Sequence, residues 1–394
     1  MKRKLSVVAV AMAFACGFGG AASADTSSVF QDGADNVANV SQNNTSNASA
    51  SVSQIGNHNE ATVTQQTNLN NSASVSSVGD NNRATVLQDN SVWALATVSQ
   101  NGTSNTATVN QVPNGSGSYS NDAVASISQT GSNHTASINQ VGTDCAGCWS
   151  PGGREANGAQ ATISQNGGSN NSAAINQTGA SNGLVASITQ QNAFTVTATV
   201  NQSGGNANTA AVLQQDSASA DASIHQSGDS QSASITQRNG TSVSSASIDQ
   251  QGGGHNATID QDHAHALASI AQTGNGHRAS IYQKAGFADG TAAAITQGGE
   301  GHTASIHQDS LHAFLTANVN QSGSLHVAQI SQSGAWNEAA VIQSGNGHSA
   351  SVTQSGVGAS DHRNSATVNQ SGFGNAASVV QMGAGGNVAN VTQN

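Results

Sequence analysis

The chain is 394 residues long and carries a formal charge of −11 from 9 basic and 20 acidic residues; only 7% of its residues are charged, and 44 are glycine. So few basic residues, with no basic cluster, leave no electrostatic footprint for a phosphate backbone and set nucleic acid aside as a partner. Low charge combined with regularly spaced apolar residues also separates the chain from disordered sequences, which join low hydrophobicity to strong self-repulsion.

Lys2, Arg3 and Lys4 precede an apolar run from Leu5 to Phe18 and then Ala22-Ser23-Ala24, the order of a secretory signal peptide. Residues 1–24 are therefore expected to be removed, leaving a mature chain that starts at Asp25. That chain has six basic residues against 20 acidic ones, a net charge of −14. Lipoprotein-type processing at Cys16 is the alternative, but Phe14 and the missing Leu make Ala13-Phe14-Ala15-Cys16 a poor site. The apolar run is too short to anchor the chain, and no later stretch reaches the roughly 20 apolar residues of a transmembrane helix, so the protein is not expected to be membrane-embedded.

Ser27-Ser28-Val29-Phe30-Gln31 is a degenerate first copy of a pattern, Ala-x-Val/Ile-x-Gln, that then recurs 29 times from Ala38-Asn39-Val40-Ser41-Gln42 to Ala389-Asn390-Val391-Thr392-Gln393, with Ser77 in one Gln slot. Ala, Val or Ile, and Gln stand at i, i+2 and i+4, and mostly Ser, Thr or Asn stand between them. A period of two is that of a β-strand with Ala, a branched aliphatic and Gln on one face and a solvated row on the other. After Gln54, Ser77, Gln100, Gln202, Gln226, Gln250 and Gln272 the linker is x-Gly, as at Gly56 and Gly102, whereas after Gln65, Gln88, Gln214 and Gln237 that Gly is missing. Two strands and two unlike turns thus make a unit of 22 to 25 residues, the period of a solenoid, with about 15 rungs in all. One unit buries too little to repay the entropy of ordering it, so rungs must stack, pairing backbones and aligning Gln side chains into amide ladders.

Three stretches break the period, near 112–124, 141–160 and 355–365, and the two prolines, Pro113 and Pro151, fall in the first two. They are expected to be loop inserts. Gln140 to Gln165 is 25 residues, about two half-units, so the second break is expected to hide a degenerate strand that keeps the Gly turns on one side of the stack. The same insert holds Cys145 and Cys148, which suit a tight loop disulfide in an oxidising compartment or two idle thiols; zinc or a redox site would need ligands or surroundings absent nearby.

The position five residues after a Gln slot is Asn at Asn59, Asn82, Asn105, Asn182 and Asn375, but His at His134, His255, His277, His302, His326 and His348. In a stack the last five form a column down one edge. Two roles suit them: His replacing Asn as a hydrogen-bonding group of the turn, or a column sensitive to metal or to pH, protonating near the ordinary imidazole value of about 6.5.

The run Ala50-Ser51-Val52-Ser53-Gln54-Ile55-Gly56-Asn57-His58-Asn59-Glu60-Ala61-Thr62-Val63-Thr64-Gln65 resembles the curlin repeat. The resemblance implies a strand–loop–strand solenoid exported through an outer-membrane pore and polymerised outside the cell, with a nucleator subunit, into adhesive fibres of a biofilm matrix. The chain departs from that family in having far more repeats. The fold expected over residues 25–394 is therefore all-β, a solenoid of stacked strand–turn–strand repeats with amyloid-like cross-β edges and no caps at its ends. The residues expected to carry it are the inward Gln54, Gln100, Gln202, Gln226, Gln250 and Gln272, the turn glycines Gly56 and Gly102, and the Asn or His slot. Carboxylates and histidines fall into no Ser-His-Asp order and no HExxH run, so neither catalysis nor a cofactor is expected, and the partner is a further copy of the chain. The rivals are a monomeric solenoid adhesin or ice binder and a minor, nucleating subunit of the same fibre.

Overall fold

Alternation with period two becomes, in the computed structural model, strand after strand with Ala, Val or Ile, and Gln buried and the residues between them at the surface. The structure describes residues 10–11, 24–113, 120–142, 158–179, 183–240, 243–262, 265–285, 290–310, 314–359 and 362–394. These residues contain strands and no helix, and none is therefore a helix long and apolar enough to cross a membrane.

The chain divides into two units, Met1–Asn208 and Thr209–Asn394. In the first, successive strands go alternately to two parallel sheets of seven strands each, sheet A running from Val37–Asn43 to Thr197–Ser203 and sheet B from Thr26–Asp32 to Val185–Phe194. In the second unit, sheet C runs from Thr209–Gln215 to Ala376–Met382 and sheet D from Asp221–Asp229 to Val388–Gln393, eight strands each. Sheet A is also met at its first strand by the dipeptide Val10–Ala11, in parallel register with Asn39 and Val40.

Register follows the repeat over the Ala, Val or Ile, and Gln positions, and where Val124–Ser132 pairs with Gln160–Ser169 it shifts only beyond them, between Thr130 and Ser132. Ala84, Ala107 and Ala136 face one another on successive strands, as do Val86, Val109 and Ile138, and Gln88, Gln111 and Gln140. A shift of one residue would turn the whole buried set to solvent, which is why so plain a pattern fixes the pairing. The degenerate copy at Thr26–Asp32 obeys the same register, Val29 opposite Val52 and Gln31 opposite Gln54. Beside the two sheets, the Gly-free turns of the first unit add a short third ladder in which Ser46, Leu69 and Val92 bridge in parallel and Val92 meets Asn121.

Two expectations are corrected. Gln160–Ser169 pairs with Val124–Ser132 and Val185–Phe194 in sheet B, while Thr135–Val141 pairs with Ser172–Thr178 in sheet A, so the second break advances the chain by one strand and leaves no place in either sheet for another. As a result the Gly turns change edge within the first unit. Gly56, Gly79, Gly102 and Gly131 follow strands of sheet B, but Gly179 and Gly204 follow strands of sheet A. Most of each expected insert, with Cys145, Cys148 and Pro151, lies outside the described residues, as does nearly all of the expected signal peptide.

Candidate functional site

Among the described residues the candidate functional features are columns that repeat one contact from rung to rung. The first is the glutamine ladder. In sheet A the Nε2 of Gln42, Gln65, Gln88, Gln111, Gln140 and Gln177 each donates to the Oε1 of the next rung's glutamine, at 2.8 to 3.0 Å, as far as Gln202. The second N–H of each amide crosses the core to a carbonyl of the facing sheet, Gln65 to Ser49 at 3.1 Å and Gln54 to Val37 at 3.0 Å. Each amide is thus satisfied though buried, and it ties rung to rung and sheet to sheet at once. Gln54, Gln100, Gln202, Gln226, Gln250 and Gln272, singled out in the sequence, are all fully buried. Gln226, Gln250 and Gln272 form one continuous ladder in sheet D with spacings of 2.9 Å, and Gln100 bonds onward to Gln129 at 3.0 Å.

The second feature is the glycine turn. Gly56 and Gly102 have φ of 112° and 135°, where L residues are strained. A Cβ would lie 2.1 Å from the Gly79 carbonyl oxygen at Gly56 and 1.9 Å from that of Gly131 at Gly102. Backbone conformation and the closeness of the next rung both demand glycine here.

The third feature is the slot three residues beyond that glycine. In the first unit the Oδ1 of Asn36, Asn59, Asn82 and Asn105 accepts the backbone N–H of the same slot on the next rung, at 2.9 to 3.1 Å. Each Nδ2 donates to the turn glycine carbonyl of the next rung, 2.7 Å for Asn59 to Gly79 and 2.9 Å for Asn82 to Gly102. In the second unit His255, His277, His302, His326 and His348 occupy the slot, fully buried, with adjacent rings stacked at centroid distances of 4.8 to 5.0 Å and within 8° of parallel. Nδ1 of each accepts the N–H of the next rung's slot, at 3.1 to 3.3 Å, the last passing to Asn375. Nε2 lies 2.9 to 3.1 Å from the carbonyl four residues earlier, that of Gln251, Thr273, Gly298, Ser322 or Ser344. Because Nδ1 faces a donor, the proton must sit on Nε2, and the ring performs the two tasks of Asn with its two nitrogens.

Of the two roles open to these histidines, the turn-side hydrogen bond is what the geometry displays. Both nitrogens are engaged, which leaves no lone pair for a metal, and among the described residues no group of three or more His, Cys, Asp or Glu is placed to hold one. The expected titration near 6.5 is also corrected. Burial pushes His255, His277, His302 and His326 below the ordinary imidazole value, His302 to about 4, and the charge of neighbouring rings lowers His277, His302 and His326 further. His134, in the asparagine column of the first unit, is equally buried, yet neither ring nitrogen has a hydrogen-bond partner among the described residues.

Two surface features escaped sequence reasoning. From Ser51 and Ser53 to Ser187 and Thr189, both outward positions between the buried residues of sheet B are Ser or Thr on six successive strands, a charge-free hydroxyl face. Trp336 packs on Phe314 at 4.8 Å between centroids, with the Arg363 guanidinium 5.6 Å from its ring.

These columns define the class: a two-sheet parallel β-solenoid whose rungs are joined by glutamine ladders and by a buried Asn or His edge. The family model of the curlin associated repeat matches residues 327–356 and 362–394, both within the second unit. No curated protein matches it.

Proposed function

We propose that the chain is a structural subunit of extracellular, curli-like amyloid fibres that lengthen by stacking the rung of one copy onto that of another. The observation that carries this is the equivalence of rungs. Apart from Ser27 in an Ala slot and Ser77 in a Gln slot, the strands of the repeat offer their neighbours Ala, Val or Ile, and Gln in one register, so the next rung of the same chain and that of another copy present the same partner. Backbone edges of this kind recruit further strands unless they are covered, and contact between unlike ends builds filaments, not closed rings. Secretion through residues 1–24, an outer-membrane pore, a nucleator, adhesion and a place in the biofilm matrix belong to the same proposal, supported by the curlin repeat. The protein acts as a scaffold in this reading, without catalysis.

The test is a set of Gln-to-Ala variants followed by thioflavin fluorescence. Gln42→Ala and Gln393→Ala, in the outer copies, are expected to slow fibre growth more than Gln111→Ala in the interior; equal effects would contradict growth at the ends. The hydroxyl face of sheet B favours a second reading, a monomeric adhesin that holds a surface along that face. It predicts surface binding that survives in a variant unable to form fibres.

A further inference from the structure

The histidine column has one place left for a proton, and that place is taken. Each ring already carries its hydrogen on Nε2, directed at a carbonyl of its own turn, and Nδ1 receives the backbone N–H of the next rung. A second proton would occupy Nδ1 and confront that N–H, donor against donor. The rung-to-rung bond would have to break and the stacked rings, 4.8 to 5.0 Å apart, would bear like charges. Asn36, Asn59, Asn82 and Asn105 make the same rung-to-rung bond with a group that does not titrate.

We propose that the five-histidine edge of Thr209–Asn394 is a proton-operated latch: acid breaks the hydrogen bonds that His255, His277, His302, His326 and His348 accept, and opens this edge of the stack, while the run of asparagines in Met1–Asn208 stays closed. Among the described residues, no other titratable side chain is buried beside the column. The strands on either side turn Ala, Ile or Val, and Gln inward. The charged side chains in the flanking turns and strand starts, Asp229, Arg278 and Glu300, are exposed, and the charges that bear on His277, His302 and His326 are those of their neighbours in the column. A histidine whose pKa falls on folding binds its proton more tightly in the unfolded chain. Its contribution is therefore intact above the unfolded value of 6.5 and is lost as the pH drops towards about 4, the value of His302.

The latch operates within one chain, so it stands or falls separately from fibre growth. The experiment uses the full chain labelled with ¹⁵N-histidine, following ring-nitrogen shifts and backbone amide exchange from pH 7.5 to 4, in the wild type and in a variant with all five histidines changed to Asn. At pH 7.5 the rings are expected as Nε2–H tautomers. In the wild type the rings of His255, His277, His302 and His326 should protonate below the ordinary value, in the same step that exposes the amides of residues 277, 302, 326 and 348. The variant should keep that protection to a pH lower by about one unit. Rings that protonate at the ordinary value while those amides stay protected would overturn the proposal, as would a variant that loses protection at the wild-type pH. The wild-type titration needs no substitution, and His302→Asn alone serves should the fivefold variant not fold.

Discussion

Asn59, Asn82 and Asn105 close one edge of Met1–Asn208, and His277, His302 and His326 close one edge of Thr209–Asn394; both columns hand a backbone N–H from each rung to a buried side chain on the one before. The asparagine amide has two N–H groups and reaches the next rung's glycine carbonyl as well, at 2.7 Å for Asn59. The imidazole has one, spends it on its own turn, and gains ring stacking instead. A single backbone requirement, an acceptor pointing along the stack axis, thus admits two side chains of equal geometry and opposite response to acid.

Acid should separate the two edges most strongly. The fall of His302 from 6.5 to about 4 corresponds to about 3 kcal/mol of stability present above pH 6.5 and lost below pH 4. Urea unfolding of the second unit at pH 7.5 and pH 4 should show that loss shrinking in His302→Asn. Changing Asn59, Asn82 and Asn105 to His should conversely bring acid sensitivity to the first unit. Next in size, Gly102→Ala and Gly274→Ala should each cost about 2–3 kcal/mol, because both edges hold glycine at positive φ with the next rung's carbonyl about 2 Å from a Cβ. A denaturant midpoint unmoved at one edge alone would show that the two turns are not built alike. Gln272→Ala should cost about 2 kcal/mol, since it strips partners from buried amides of Gln250 and Gln297, measurable by the same titration. Smallest, His134→Asn should stabilise by about 1 kcal/mol, replacing a buried ring without partners by the side chain that continues the asparagine column.

Strand positions, register and the five-histidine column were legible in the sequence, because spacing at i, i+2 and i+4 dictates which face is buried, and a constant offset from Gln dictates a column. Less legible was anything that depends on which sheet a strand joins. The 25 residues from Gln140 to Gln165 suit one strand step as well as two short ones, so the change of the glycine turns from one edge to the other shows only in the pairing of Gln160–Ser169. The hydroxyl face of sheet B was hidden for the same reason: averaged over both sheets the outward residues mix Ser, Thr, Asn and Ala, and only their assignment to sheets separates them. Burial of the imidazoles, and with it the direction of their titration, follows from Nδ1 and Nε2 facing into the turn, which offset alone does not convey.

Fibre X-ray diffraction of the signal-free chain, incubated at neutral pH and checked by electron microscopy, tests most directly whether rungs recruit rungs across molecules. Filaments giving a meridional reflection at about 4.8 Å are expected, the spacing of stacked parallel strands. A chain that stays monomeric at high concentration with its solenoid intact would contradict it.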